Sequence, residues 1–342
     1  MAITIKQIAE LAHVSRGTVD KVLNGRPGVK EATRERVLRI ARELNYKPNY
    51  LGKALVRSKD KTKIGVILTP EYNPFVHQII SGIHRAQEEF GLFGLEVVIK
   101  MLTTLEPAEQ IGILNSFEND GFAGIAVFPL NDEVIIRKIN AMGEAGIAVI
   151  TFNSRIQEIR DICFVGQNHY RGGRTAAGLM SKLLPQGGEI GVIISSHHLS
   201  CHQDRLKGFR DKVAESHADL VIVEVEENQD KTDTAFQLML KYSHSHPELK
   251  GVYITGGGCS GIGRALDLNG TTGKIKVICH DIIPDTIQLL RAGAVDFALG
   301  QNPEQQGYLL IKVLFEYLIK QEDPAGAVID IPIEIATSDT VN

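Results

Sequence analysis

The sequence predicts two unlike parts: an all-α helix-turn-helix head, then an α/β body of two doubly wound parallel-sheet lobes. Three observations predict it. Three short helical patterns, the first two separated by a very short break, fill the start of the chain. From Lys63 onward, apolar runs alternate with helical patterns in a βαβ rhythm. Charge divides at the same place. Residues 1–60 hold 13 Lys/Arg against 6 Asp/Glu, a net of +7, whereas the remainder holds 24 against 35, a net of −11. A small basic head on an acidic body points to a polyanion partner for the head alone. The expected boundaries are 1–48 for the head, 49–62 for a linker and 63–342 for the body. Within the body, the first lobe is expected at about 63–163 and 294–322, and the second at about 164–293 and 323–342.

In the head, Thr4 and Gln7 form a T-x-x-Q capping box. Ile5, Ile8, Ala9, Leu11 and Ala12 follow at helical spacing. After the break at His13-Val14, Ser15 is a good N-cap for a second helix, with Val19, Val22 and Leu23 on its apolar face. Asn24-Gly25 stops that helix, and a third runs from about Glu31 to Leu44. In such units the N-terminal part of the second helix lies in the DNA major groove. Arg16, Gly17, Asp20 and Lys21 lie away from its apolar face and are the candidates for base edges. Arg34, Arg36, Arg39 and Arg42 on the third helix suit phosphates.

In the body, nine runs read as strands buried on both faces: "IGVIL", "LEVVI", "GIAVF", "IAVITF", "EIGVII", "LVIVEV", "GVYIT", "IKVICH" and "FALG". So many units exceed one comfortable core, hence two lobes. Ligands of open α/β sheets bind at the carboxyl ends of strands. Those ends carry Asn73 and Phe75, then Asn153 and Arg155, then Asp281, then Gln301, while Arg205 starts a helix. Amides, a carboxylate and guanidiniums beside an aromatic ring suit a sugar, whose hydroxyls need donors and acceptors and whose ring face needs an apolar plate. His198 and His202 border the expected lobe interface.

Other chemistries leave weaker traces. "GGGCSG" (Gly256 to Gly261) satisfies G-x-G-x-x-G between a strand and a helix, with Asp281 ending the next strand, so NAD binding by an oxidoreductase is the competing reading. It lies late in the chain and lacks a standout hydride-site His or Lys. A looped effector contact or close helix–strand packing explains the glycines better. No G-x-S-x-G elbow or Walker A run occurs, and the His/Cys strings lack structural-zinc spacing. We therefore expect no enzyme activity, no cofactor and no metal. Cys163, Cys201, Cys259 and Cys279 are not in CxxC spacing, and buried, reduced thiols are expected. No apolar run approaches a membrane span, and the N-terminus has no signal-peptide pattern, so a cytoplasmic protein without a membrane partner is expected.

The run "TIKQIAELAHVSRGTVDKVLNG" through "ELNYKPN" resembles the head of the lactose/galactose-repressor (LacI-type) family of bacterial transcription regulators, without a gap over about fifty residues. The resemblance implies operator-DNA contacts from Thr4, Ser15, Arg16, Gly17, Thr18, Asp20, Lys21, Asn24, Val29, Tyr46 and Asn49. It implies a hinge that becomes helical on DNA and wedges Leu55 into the minor groove. Asp20-Lys21 departs from the family's usual Ser-Arg, and Lys loses a bidentate fork. An unpaired carboxylate at Asp20 meets phosphate repulsion unless it pairs with Lys21 or Arg16 or accepts from a cytosine amino group. Gly52 stands where the family has alanine, at a cost of ~1 kcal/mol in helix propensity.

The body resembles the same family's effector domain, which has the type I periplasmic-binding-protein fold, in its ribose/galactose flavour. Asn73-Pro74-Phe75, Asn153-Ser154-Arg155, Arg205-x-x-Gly208-Phe209, Asp281 and Gln301 carry that resemblance. It places Asp233 near the second stacking position and Gly257-Gly258 where Asn-Asp is usual, so a modified, phosphorylated or amino sugar enters consideration. The resemblance implies a homodimer on a pseudo-palindromic operator, controlled by a small sugar or sugar derivative. First-lobe helices near Phe75–Phe90 and Glu106–Phe117 are the expected dimer contacts. A solute sensor whose head docks protein is the other alternative.

Overall fold

The computed structural model describes residues 3–23, 26–44, 46, 61–71, 74–215, 219–324 and 326–341. It divides into two compact units, Met1–Lys53 and Ala54–Asn342.

The head unit contains α1 (Ile5–Ala12), α2 (Arg16–Leu23) and α3 (Glu31–Glu43). The capping box closes: Gln7 N donates to Thr4 Oγ1 at 3.4 Å and Thr4 N donates to Gln7 Oε1 at 2.8 Å. His13 takes a left-handed φ of 51° and ends α1, its N–H reaching Ala9 and Glu10 carbonyls. That sharp stop makes the tight turn. Ser15 Oγ then accepts from Thr18 N at 3.1 Å, capping α2. Ile8, Ala12, Val19, Val22, Val37 and Ala41 form the head core. The expected stop at Asn24-Gly25 lies outside the described residues.

The body unit contains two six-stranded sheets. The first has the order β11-β5-β4-β3-β1-β2 and is parallel throughout. Its strands are β1 (Thr62–Leu68), β2 (Leu95–Met101), β3 (Gly124–Val127), β4 (Ala148–Phe152), β5 (Cys163–Gly166) and β11 (Val328–Asp330). The second has the order β12-β10-β9-β8-β6-β7, antiparallel only where β12 joins β10. Its strands are β6 (Gly188–Ile194), β7 (Leu220–Glu227), β8 (Leu249–Ile254), β9 (Lys276–His280), β10 (Phe297–Gly300) and β12 (Glu334–Ala336). Helices α4 (Pro74–Phe90), α5 (Pro107–Asn119) and α6 (Glu133–Glu144) connect first-lobe strands. Helices α7 (His169–Leu183), α8 (Ser200–Ala214), α9 (Thr232–Ser245), α10 (Cys259–Leu268) and α11 (Pro284–Arg291) serve the second lobe. Helix α12 (Pro303–Phe315) returns to the first lobe and continues as a π-helical turn, Glu316–Lys320.

All nine expected strand runs are strands. The lobe boundaries need correction. Strand β10, placed in the first lobe by a boundary at 294, belongs to the second sheet, and β11, placed in the second lobe, belongs to the first. Strand β5 straddles the expected boundary at 163/164. The chain crosses between lobes at 166–169, 300–303 and 330–334. The first two crossings share a sequence: Gly166-Gln167-Asn168 and Gly300-Gln301-Asn302. Each strand ends at the glycine, and each asparagine caps the next helix, accepting from Arg171 N at 2.9 Å and Gln305 N at 3.1 Å. The crossings are stitched by Gln167 Nε2, which donates to Gly300 O at 3.1 Å.

Each lobe also holds a helix pair at backbone contact through a glycine from each helix. A Cβ on Gly173 would lie 1.9 Å from Arg205 O, and one on Gly208 would lie 2.0 Å from Tyr170 O. Helices α7 and α8 therefore touch through glycine, which fixes Arg205 against the second sheet. Helices α4 and α12 pack the same way through Gly82 and Gly307 in the first lobe.

Candidate functional site

The head offers an exposed face on α2. Ser15, Arg16, Gly17 and Lys21 are exposed and Thr18 is half-buried, while Val19 and Val22 are buried behind them. A Cβ on Gly17 would meet only Ser15 Oγ, at 3.7 Å, so an approaching surface finds backbone here. Asp20 is paired with Arg26: its carboxylate lies 3.6 Å from Arg26 Nη1. Thr4 is exposed at the start of α1. Val29 and Tyr46 are half-buried packing residues of the head core. On α3, Arg34 turns inward to donate to Arg26 O at 3.1 Å, whereas Arg36, Arg39 and Arg42 are exposed. Asn24, Asn49 and Leu55 lie outside the described residues.

The body brings the strand-end residues together where the lobes meet. Asn153 follows β4 with a left-handed φ of 58°, and Asp281 follows β9 with φ 70°. Gln301 follows β10 and joins them: Asn153 Nδ2 donates to its Oε1 at 3.3 Å, and its Nε2 donates to Asp281 Oδ1 at 2.7 Å. All three are buried. Two non-glycine residues held in αL cost strain that the surrounding bonds must offset, a common mark of a functional site. Arg205, on the second turn of α8, is 2% exposed and donates through Nη1 to Thr255 O at 2.6 Å. His202 Nδ1 lies 3.0 Å from Thr255 Oγ1. Gly257 is buried beside Asp230, whose Oδ1 accepts from its N–H at 2.6 Å. Phe75 is buried at the start of α4, and Asn73 lies outside the described residues.

Two expected residues are elsewhere. Asp233 is a surface residue, 91% exposed at its side chain and paired with Arg264 at 3.1 Å. Asp230, three residues earlier, holds the site position, because α9 begins only at Thr232 and turns Asp233 outward. Arg155 is exposed and lies over the Phe164 ring at 5.7 Å. It lines a cavity of about 480 Å³ with Tyr170, Lys207 and His169. Ser154 takes the buried place, its Oγ accepting from Cys201 N at 3.4 Å across the lobes. His198 is exposed, but its carbonyl accepts from Asn131 N at 3.0 Å in the other lobe.

Several site residues escaped the sequence reading. His169 Nε2 lies 2.7 Å from Asn153 O. His280, beside Asp281, lies 2.8 Å from Tyr253 Oη through its Nε2. With His202 they make a trio of buried imidazoles around Arg205. Burial first, and then Arg205, hold His169 and His280 well below the ordinary histidine range. Burial pushes His202 down to about 4, opposed by Asp230 and reinforced by Arg205. Burial raises Asp281, opposed by Arg205 and by the Gln301 bond. The Gly-Gln-Asn-His sequence before α7 and the His-Asp pair ending β9 were the signals that could have located His169 and His280.

The glycine-rich loop is closed packing. A Cβ on Gly256 would lie 2.6 Å from His202 Cε1, and one on Gly261 would lie 2.1 Å from Thr232 O. Gly258 caps α10 at φ 94°. All are accounted for by the cleft and by α9–α10 contact, so the spacing of G-x-G-x-x-G has a packing cause.

Residues 64–322 match the periplasmic binding protein domain family, and residues 4–49 match the bacterial regulatory proteins of the lacI family. The chain belongs to the periplasmic binding protein domain family, and its head matches the lacI-family model. The chain is 25% identical over 236 residues to the xylose/arabinose-binding protein XylF of Sulfolobus acidocaldarius, covering 64% of this chain and 58% of that one. It is 35% identical over 125 residues to the probable HTH-type transcriptional repressor ExuR of Bacillus subtilis, covering 34% of this chain and 37% of that one. It therefore spans less than two thirds of either relative's own length. Neither relative is named as an enzyme. Its body shares the fold of an ABC-transporter solute-binding protein from Burkholderia graminis in complex with D-arabinose, with a TM-score of 0.76, 21% identity, and 82% and 96% of the two chains covered. No described helix is long and apolar enough to cross a membrane.

Proposed function

We propose that this protein is a sugar-responsive transcription regulator, a repressor of carbohydrate-utilisation genes. The head reads a pseudo-palindromic operator as one half of a homodimer, and a small sugar-like effector in the cleft alters operator affinity. The single observation behind this reading is the union in one chain of a lacI-type head with a two-lobed body whose buried polar strand ends converge. Arg16, Gly17 and Lys21 supply exposed readers at the start of α2. Asp20 lies beside Arg26, whose charge offsets its repulsion of phosphate. Asn153, Asp281, Gln301 and Arg205 supply the donors and acceptors for hydroxyls, and Phe75 the apolar plate. The protein acts in the cytoplasm, by binding and without catalysis.

The test is selection of duplexes from a random library by the full-length protein at two salt concentrations. A palindrome with a central pyrimidine–purine step and steep salt dependence supports the reading. Weak, sequence-indifferent binding contradicts it.

A further inference from the structure

Helix α8 starts on a poor residue for starting a helix. Its N-cap is Leu199, whose side chain makes no cap bond, where Ser, Thr, Asp or Asn is usual. The missing acceptor comes from the other lobe. Cys201 N, the second helical amide, donates to Ser154 Oγ at 3.4 Å. Two more bonds cross between the lobes beside it. Asn131 N donates to His198 O at 3.0 Å, and Ser200 Oγ donates to Arg155 O at 3.3 Å.

The side chains cross too. Leu199 and Cys201, 2% and 1% exposed, belong to the buried apolar cluster of the first lobe, with Leu130, Phe152 and Ile156. The next buried apolar residues of α8, Leu206 and Phe209, belong to a core of the second lobe. The helix is therefore shared, its first turn packed into one lobe and its remainder into the other. Opening the cleft returns two apolar side chains to water and strips α8 of its cap. Each of these contacts joins groups of the chain itself, so closure does not depend on a ligand.

We infer that residues 198–201 are a latch that holds the two lobes closed before any effector arrives. The regulatory consequence rests on the reading of the cleft as the effector site. A sugar enters when the latch opens, and His202 and Arg205, on the same helix, sense it as the latch re-docks.

The test needs no sugar, because the chain carries its own probe. Cys201 is buried across the lobes, whereas Cys163, Cys259 and Cys279 lie within single-lobe cores. Burial pushes the Cys201 thiol up to about 11, and opening returns it toward the ordinary, more reactive range. Full-length protein is pulsed with N-ethylmaleimide, and all four cysteines are followed by peptide mass spectrometry. Leu199→Ser removes the apolar plug and supplies α8 with a cap of its own. Cys201 then labels at least tenfold faster than in the unaltered chain, while the other three keep their rates. Equal Cys201 rates in the two proteins overturn the latch. If all four cysteines of Leu199→Ser label together, the variant has unfolded, and hydrogen exchange of the unaltered chain decides. The amides of Asn131 and Cys201 spend their donors across the lobes. Protection of both without sugar supports the latch, and exchange at the rate of a free loop overturns it. Either failure leaves the sugar-effector reading standing, since no sugar enters the experiment.

Discussion

The two lobes repeat one architecture but meet the cleft with different chemistry. Each has six strands, and each has a helix pair joined through glycine: Gly82 with Gly307 in the first, Gly173 with Gly208 in the second. At the strand ends they part company. The first lobe presents buried Phe75, Phe128, Leu130 and Phe152, with Asn153 and Ser154 as its polar contribution. The second presents Ser195, Asn228, Thr255, His280 and Asp281, and adds His202 and Arg205 from α8. The lesson is a division of labour. One lobe carries an apolar plate, and the other carries the charge and nearly all of the ionisable groups. Closing such a cleft buries a cation, so stability, protonation and ligand choice become tied to the second lobe.

The largest effect comes from parting the paired helices. Gly82→Ala and Gly173→Ala each force a Cβ to within 1.9 Å of a backbone oxygen. Both are expected to cost about 3 kcal/mol of stability, read from denaturant or thermal unfolding. They then differ: Gly173→Ala also displaces Arg205 and lowers effector affinity, while Gly82→Ala leaves the affinity of the folded fraction intact. Gly178→Ala, on the same helix as Gly173 but in open space, should stabilise by about 0.5–1 kcal/mol. Equal ligand affinities for the first two variants would break the comparison.

The next effect is on pH dependence. His169, His202 and His280 all belong to the second lobe and are held neutral. The unfolded chain binds protons at ordinary histidine pKa values and the native state resists them. Stability is therefore full above about pH 6.5 and falls as pH drops toward 4. With His202 moved from 6.5 to about 4, that residue alone accounts for about 3 kcal/mol. The groups facing the trio are Arg205, Asp230, Asp281 and Tyr253. Thermal unfolding between pH 7 and 5 checks the sign. Arg205→Met leaves the burial that chiefly depresses the histidines but removes the cation that adds to it, and should flatten the curve in part.

Smaller still is the contribution of the apolar plate. Phe75→Leu should weaken every sugar ligand by about 1 kcal/mol in calorimetric titration. The smallest effect on stability belongs to the head, where Asp20→Ser removes the partly exposed pair with Arg26 and should change folding by less than about 1 kcal/mol. Its consequence lies in DNA binding, where selected operators should shift at the bases that Asp20 meets.

Much of this was legible in the sequence, for physical reasons. Capping at Thr4–Gln7 and Ser15 is local, so the head followed from a few residues. All nine apolar runs are strands, but β2 and β7 lie at sheet edges and are mostly half-buried, against the expected burial on both faces. The misplaced lobe boundaries have a different cause. Strands β5, β11 and β12 are three or four residues long, and the last two are partly exposed edge strands, too short for periodicity to show. Without them the crossings at Gln167 and Gln301 could not be located. The site divides the same way. Asn153, Arg205, Asp281 and Gln301 sat at the ends of recognisable strands or helices. Asp233 was wrong by one helical start, and Arg155 was wrong because Ser154 occupies the inward position after β4. His169 and His280 look like ordinary loop and strand residues until the fold brings them to Arg205.

The central claim is that occupancy of the cleft changes how the head binds DNA. The direct measurement is fluorescence anisotropy of a selected operator duplex, titrated with full-length protein with and without a saturating sugar identified by calorimetric screening. The account predicts a change of at least fivefold in operator affinity, and an equal reciprocal change in sugar affinity when operator is bound. Identical operator affinities with the cleft empty and saturated would contradict it.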